Sequence, residues 1–164
     1  YLNKTCFNGL YRENLKGEFN TSMGRYKNPK VCDAEALRQA SLALQTTDIG
    51  CGQFSAVLDW AVDEQDFVYF DPPYHPINAT SSFTGYSRYG FDAGDQQRLR
   101  RTFAELVTRG VKVMLSNSDC PFIRDLYEDF YMHKVQAARA INSNGKRRGK
   151  IPELVITSYP ISLT

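Results

Sequence analysis

The chain has 164 residues, 42% of them hydrophobic and 13% aromatic, which is enough for one domain with a sizeable core and at most a small appendage. No apolar run approaches membrane-spanning length and no signal peptide is visible. The cysteines form no C-x-x-C pair, and the chain has only two histidines, which argues against a zinc site and favours reduced thiols in a cytosolic protein.

The net charge of +2 hides a strong asymmetry along the chain. Residues 1–30 hold six basic and two acidic side chains, residues 31–129 hold eight and fifteen, and residues 130–164 hold six and one. Both ends are therefore basic and the middle is acidic. This pattern predicts a polyanion that is held by the two ends.

The first third of the chain predicts little regular structure before one helix. Residues 1–30 mix glycines, tyrosines, asparagines and basic side chains without clean periodicity, so we expect loops and short turns. Asp33 predicts the N-cap of a helix that reaches about Gln45. A short strand is expected over residues 48–52, and residues 54–62 have helical spacing. The first helix has apolar positions at Leu37, Leu42 and Leu44.

The middle of the chain predicts a strand, a long loop and a helix. Residues 66–71 are near-continuously apolar, as in a strand of a sheet that is covered on both faces. A polar loop follows over residues 75–91. Asp92 then predicts the N-cap of a helix that Gly110 ends, with a core face of Leu99, Phe103 and Leu106.

The last third predicts the rest of an α/β sheet. Residues 111–116 form a strand, and Asp119 starts a helix with Pro121 in its first turn. Residues 131–141 and 153–159 are predicted to be two further strands. The element order predicts a mostly parallel sheet that ends in an antiparallel hairpin.

The segment Asp71-Pro72-Pro73-Tyr74 directly follows the apolar run Phe67–Phe70. Ligands of open α/β sheets bind at the carboxyl ends of strands. Asp71 offers acceptor oxygens, the prolines lack N–H groups and are expected to turn the carbonyls beside them outward, and Tyr74 offers a stacking plane. Such a ledge suits a planar ring with an exocyclic amine, such as a nucleobase extruded from a duplex.

With these residues the chain resembles the C-terminal part of the Dam-like DNA adenine N6-methyltransferases. The resemblance implies an α/β fold: a partial Rossmann-like methyltransferase sheet, mostly parallel with a terminal antiparallel hairpin, preceded by part of a DNA target-recognition domain. Residues 1–32 would end the recognition domain, and residues 33–164 would form the C-terminal part of the catalytic domain. Besides the segment at Asp71, the resemblance rests on Tyr1–Lys4, Phe7–Arg12, Gly17–Asn20, Gly24–Lys27, Ala79-Thr80, Phe83-Thr84, Leu115–Ser118 and Ile141–Gly145.

The resemblance implies transfer of the S-adenosylmethionine methyl group to adenine N6 in double-stranded DNA. Asp71, Pro72, Pro73 and Tyr74 would be catalytic. The Asp71 carboxylate and the Pro72 carbonyl would accept hydrogen bonds from N6 and stabilise its developing charge, and Tyr74 would stack on the flipped base. No metal is needed. An Asp at the first position favours adenine over cytosine, which usually goes with Ser, and over protein glutamine or RNA bases, which usually go with Asn.

By the same resemblance, Phe7, Asn8, Leu10 and Arg12 belong to a base-reading hairpin, which implies a GATC-like target. Arg12 is suited to a bidentate contact with guanine, although taken alone it would be a solvated surface charge. The remaining DNA-binding residues that the resemblance implies are phosphate contacts in the first segment and in the tail, where a plain solvated loop is the alternative: Arg25, Lys27, Asn142, Asn144, Lys146 and Arg147.

The cofactor side of the site is expected to be incomplete in these residues. The resemblance assigns Gln53 and Phe54, with Asp71, to S-adenosylmethionine. The family's glycine-rich F-x-G-x-G segment is absent, and we expect it upstream of Tyr1, with poor cofactor binding by these 164 residues. Three interpretations stay open: part of a working monomeric DNA methylase that is bacterial or phage-encoded and cytoplasmic, a truncated remnant with residual DNA binding, and an amino-methylase of RNA or protein.

Overall fold

The structure, a computed structural model, describes residues 1–14, 16–77, 90–138 and 150–161. The described residues divide into two units, Tyr1–Gln53 and those from Phe54 onward. In the first unit a short helix, α1 (Leu2–Thr5), leads into a 3-10 turn at Phe7–Gly9. The following residues form a long irregular hairpin with bridges between Cys6 and Met23 and between Glu13 and Phe19. The expectation of loops and turns is confirmed.

Helix α2 (Ala34–Ala43) ends the regular part of the first unit and continues into a 3-10 turn at Leu44–Thr46. The predicted cap is confirmed, because the Asp33 side chain accepts a hydrogen bond from the Ala36 amide. No residue of α2 is buried, so its leucines lie exposed within this unit. The strand predicted over residues 48–52 is wrong: these residues have no strand partner, and two glycines and an aspartate are poor strand formers.

The second unit begins with a 3-10 helix at Phe54–Asp59, where helical spacing had predicted a helix. Helix α3 (Ala93–Thr108) starts as predicted at Asp92, whose side chain forms a capping box with Asp95. Gly110 ends it with a φ of +83°, a conformation that favours glycine. Helix α4 (Pro121–Leu126) starts at Pro121 itself, with Cys120 as its N-cap.

Four strands form one mixed sheet: β1 (Phe67–Phe70), β2 (Lys112–Ser118), β3 (Tyr131–Ala138) and β4 (Lys150–Thr157), in the order β1-β2-β4-β3. The terminal antiparallel hairpin is confirmed. The prediction of a mostly parallel sheet is wrong for the described strands, because only β1 and β2 pair in parallel. The second hairpin strand, β4, inserts between β2 and β3 and is antiparallel to both.

Helix α3 packs on one face of this sheet and forms the core. Leu99, Phe103 and Leu106 are fully buried, as predicted, and belong to one cluster with Val68 and Leu115. Burial of each such side chain stabilises the fold by about 1.5–3 kcal/mol.

The other face of β1 is open. Phe67 and Tyr69 are 56% and 53% exposed, while Val68 and Phe70 are buried. The prediction that this strand is covered on both faces is therefore wrong within the described residues. Among these residues, no helix is long and apolar enough to cross a membrane.

Candidate active site

The candidate site lies where the parallel strands β1 and β2 end, the edge at which α/β folds bind ligands. Phe70 pairs with Leu115, so Asp71 comes directly beside Ser116. The Ser116 hydroxyl donates a hydrogen bond to Asp71 Oδ1 at 2.9 Å, and the Tyr69 hydroxyl donates to Ser116 Oγ at 3.0 Å. Asp71 itself is exposed, which leaves its other oxygen accessible to a ligand.

A buried amide pair holds the loop after Asp71 from within. Gln96 of α3 donates from Nε2 to the Pro73 carbonyl at 2.9 Å, and Asn117 of β2 donates from Nδ2 to Gln96 Oε1 at 3.1 Å. Both side chains are completely buried. Because buried amides are costly without partners, this arrangement strongly favours one loop conformation.

The same loop is held a second time beyond Tyr74. The His75 amide donates to Asn117 Oδ1 at 3.0 Å, and the Ser118 hydroxyl donates to the His75 carbonyl at 2.7 Å. Tyr74 therefore stands between two anchored peptide groups.

The direction of the proline carbonyls differs in part from the sequence prediction. The Pro73 carbonyl does not face outward, because it accepts the hydrogen bond from buried Gln96. Among the described residues, none donates to the Pro72 carbonyl. Of the two proline carbonyls, Pro72 is thus the one left to serve a ligand.

Tyr74 is half-buried, and its hydroxyl donates to Glu153 Oε2 at 3.4 Å. Burial raises the pKa of Tyr74, and the carboxylates of Glu153 and Asp71 raise this pKa further, whereas a hydrogen bond with Ser116 opposes the change. The ring is therefore a neutral phenol at physiological pH, suited to stacking.

His75 packs against α4, where its ring stacks on Phe122 with the ring centroids 4.3 Å apart. Partial burial lowers the pKa of His75 from 6.5, since it disfavours the charged imidazole. His75 is therefore a packing residue of the loop.

We predict that His75 makes the protein less stable in mild acid. The folded state resists protonation while the unfolded chain takes up a proton near pH 6.5, so stability is lost as the pH falls below that value. Between pH 7.5 and pH 5.5, the free energy of unfolding measured in urea should change less for His75→Phe than for the parent. An equal difference in both proteins would contradict the role of His75.

We predict that Gln96→Ala lowers the free energy of unfolding by about 2–4 kcal/mol, because it leaves the Pro73 carbonyl and the Asn117 amide without partners. The neighbouring exposed Gln97→Ala is the matched control and should change stability by less than about 0.5 kcal/mol. Urea unfolding of both variants measures the difference. If Gln96→Ala is as stable as Gln97→Ala, the amide pair does not anchor the loop.

The residues expected to read DNA bases lie in the hairpin of the first unit. Phe7 and Asn8 are exposed in the 3-10 turn, Asn8 with a φ of +54°, and Leu10 is half-buried. Arg12 is exposed and is held by Asn20, which accepts from Arg12 Nε through its side chain at 2.8 Å and from Nη2 through its carbonyl at 3.2 Å. Three of the five guanidinium donors remain for another partner.

Of the other predicted binding residues, those before β1 are described by the structure, whereas those of the tail are not. Arg25 and Lys27 are exposed, and neither forms an ion pair with a described residue. Gln53 is exposed, while Phe54 is half-buried with its ring centroid 6.0 Å from that of Phe91. The tail residues Asn142, Asn144, Lys146 and Arg147 lie outside the described residues. No metal-ligand cluster occurs in the part of the chain that the structure describes.

Sequence reasoning assigned no site role to the polar side chains that hold Asp71 and the loop after it, although Leu115–Ser118 are among the residues that carry the resemblance. Gln96 did carry a signal, since it lies on the buried stripe of α3 with Leu99, Phe103 and Leu106. Ser116, Asn117 and Ser118 are polar residues at the end of a buried strand, which is a second signal. Glu153 on β4 carried none.

Comparison with known proteins gives a consistent picture. The model of the D12 class N6 adenine-specific DNA methyltransferases matches residues 1–141. Type II methyltransferase M.MjaIII of Methanocaldococcus jannaschii is 52% identical over 161 residues, and Type II methyltransferase M1.LlaDCHI of Lactococcus lactis is 47% identical over 161 residues. A DNA adenine methylase of Escherichia coli is 39% identical over 160 residues.

These matches cover 97–98% of this chain and 55–57% of each of these relatives. The chain thus spans a little over half the length of the curated relatives it matches. The matched regions include both the hairpin with Arg12 and the loop with Asp71.

Proposed function

The chain belongs to the D12 class of N6 adenine-specific DNA methyltransferases, and we propose that it carries the target-base half of an active site that methylates adenine N6 in double-stranded DNA. One observation carries the proposal: the exposed Asp71 carboxylate stands at the strand edge with one oxygen bound by Ser116 and the other accessible. Acceptors in this position suit an amine that gains positive charge as it reacts.

Asp71 and Pro72 act on the amine. The adenine N6 lone pair is delocalised into the ring, so the amine is a poor nucleophile. Hydrogen bonds from N6 to the Asp71 carboxylate and the Pro72 carbonyl favour a pyramidal nitrogen and stabilise its developing charge. The anchored loop keeps both acceptors in place without reorganisation during the reaction.

Tyr74 holds the flipped base by stacking, as a neutral ring between two anchored peptide groups. The hydrogen bond of its hydroxyl to Glu153 restricts the orientation of the ring. A fixed stacking plane lowers the entropy that is lost when the base enters.

S-adenosylmethionine supplies the electrophilic methyl group when bound. The described residues fit it in part: the partly exposed Phe54 ring can pack against an adenine, and Asp71 brings a negative charge suited to a sulfonium. Gln53 adds polar groups next to Phe54.

We assign base reading to the hairpin of the first unit, at a GATC-like sequence. Arg12, held by Asn20, presents its remaining donors to guanine O6 and N7, and Leu10 contacts a thymine methyl. Phe7 and Asn8 lie beside them in the turn. Arg25 and Lys27, together with the polar and basic tail residues, bind phosphates and supply affinity without sequence preference.

The proposal is tested by expressing the complete gene in the cytoplasm of a bacterial host that lacks adenine methylation. We expect N6-methyladenine in host DNA, detected by mass spectrometry of nucleosides, and single-molecule sequencing should place it within GATC. Methylation of adenine at another site would refute the specificity alone. Absence of N6-methyladenine with the protein present and folded would refute the activity.

A further inference from the structure

The hydroxyl groups of Tyr69 and Ser116 form a chain of two hydrogen bonds to the carboxylate of Asp71, the candidate catalytic residue. Tyr69 and Asp71 are two residues apart, so their side chains point to the same side of the chain at β1. Tyr69 pairs with Met114, and Ser116 follows two residues later on the same face of β2. The distances are 3.0 Å from Tyr69 to Ser116 and 2.9 Å from Ser116 to Asp71 Oδ1.

The direction of donation makes this arrangement specific. Tyr69 donates to Ser116 and Ser116 donates to Asp71, and the Tyr74 hydroxyl also lies within hydrogen-bonding reach of Ser116. Ser116 is 6% exposed, so little water can replace the bond if it is lost. Because Ser116 binds Oδ1 of Asp71, rotation of this carboxylate is restricted. Its second oxygen, Oδ2, therefore points in one direction.

We propose that Tyr69 and Ser116 are positioning residues that orient the Asp71 carboxylate toward the target amine. The inference rests on the proposed methylation of adenine N6. Neither residue needs to touch the substrate: Ser116 acts through Asp71, and Tyr69 acts through Ser116. The restricted carboxylate is already aligned when the base arrives, and misalignment of such a group costs roughly 10²-fold in rate.

The position of Tyr69 argues against a purely structural role. Its ring is 53% exposed on the open face of β1, so its removal sacrifices little packing within the second unit. Tyr69→Phe removes only the hydroxyl. This variant tests the pair even if Ser116→Ala proves unstable.

The test uses the protein expressed from its complete gene, with S-adenosylmethionine and duplex DNA in single-turnover reactions. Ser116→Ala should slow methyl transfer by roughly 10- to 100-fold, and Tyr69→Phe by roughly 3- to 10-fold, with DNA affinity nearly unchanged. The double variant should be no slower than Ser116→Ala, because Tyr69 acts only through Ser116. Ser116→Thr, which keeps a hydroxyl, should recover part of the rate.

Thr102→Val is the matched control, because it removes a buried hydroxyl whose only described partner is the Arg98 carbonyl in α3. A second readout needs no chemistry: the ratio of binding affinities for two duplexes that differ only at the target base, adenine or unsubstituted purine, which detects changes too small to alter the overall DNA affinity appreciably. The parent should prefer adenine, and Ser116→Ala should lose most of this preference.

Unchanged rates and preference in Ser116→Ala and Tyr69→Phe, or additive losses in the double variant, would overturn the inference. A parent protein that methylates no adenine would refute the proposed function instead.

Discussion

Asp71→Ala is expected to lower the rate of methyl transfer by at least roughly 10²–10³-fold, the range for loss of one electrostatic contact to a transition state. The remaining Pro72 carbonyl cannot replace a carboxylate, because it is neutral and accepts only one of the two N6 protons. DNA affinity should change by less than about threefold, since phosphate contacts dominate it. Single-turnover kinetics and fluorescence anisotropy with a labelled duplex measure the two quantities.

Two variants make this result specific. Asp125→Ala removes the same charge from an exposed position in α4 and should leave the rate unchanged. Asp71→Asn keeps an acceptor oxygen beside Ser116 but loses the charge, so its rate should lie between those of the parent and Asp71→Ala. If Asp71→Ala methylates adenine at the parental rate, Asp71 is not the group that stabilises the amine.

Arg12→Ala is expected to relax discrimination at one guanine of the target by about 1–3 kcal/mol, the usual range for one bidentate contact. Asn20 binds two of the guanidinium donors of Arg12, and the remaining donors are available to a base edge. Methylation rates on GATC and on its single-base variants measure the loss. Discrimination that is unchanged at every position would exclude Arg12 as the guanine contact.

Asn20→Ala and Arg25→Ala separate the two kinds of DNA contact. Asn20→Ala removes a contact that orients the Arg12 guanidinium. It should weaken discrimination between target sequences, but less than Arg12→Ala does. Arg25→Ala should weaken binding of all sequences alike and reduce the slope of log affinity against log salt by about 1. Loss of sequence discrimination in Arg25→Ala would contradict its assignment to phosphate.

Several parts of the fold could be predicted from the sequence because they depend on neighbours in the chain. The Asp92 capping box and the positive φ of Gly110 bound α3 within a few residues of its ends. The apolar run before Asp71 predicts β1, and the spacing of Leu99, Phe103 and Leu106 predicts the core face of α3. Asp33 likewise caps α2 through an amide three residues away.

The predictions that failed depend on partners distant in sequence. Strand β4 inserts beside β2, which alternating hydrophobicity cannot predict, because the pattern does not identify a strand's neighbour. The open face of β1 likewise depends on which elements lie over the sheet: Phe67 and Tyr69 are apolar enough for burial, yet no described element covers them.

The sequence by itself determined that an acid, two prolines and a tyrosine end a buried strand, and it determined the family, since both follow from residues in a fixed order. Only the tertiary structure decided how this segment is held. Ser116 lies 45 residues from Asp71 and Glu153 lies 79 residues from Tyr74, and Gln96 turns the Pro73 carbonyl inward. These contacts form because the sheet and α3 bring distant polar groups together, and once buried each group must find a partner.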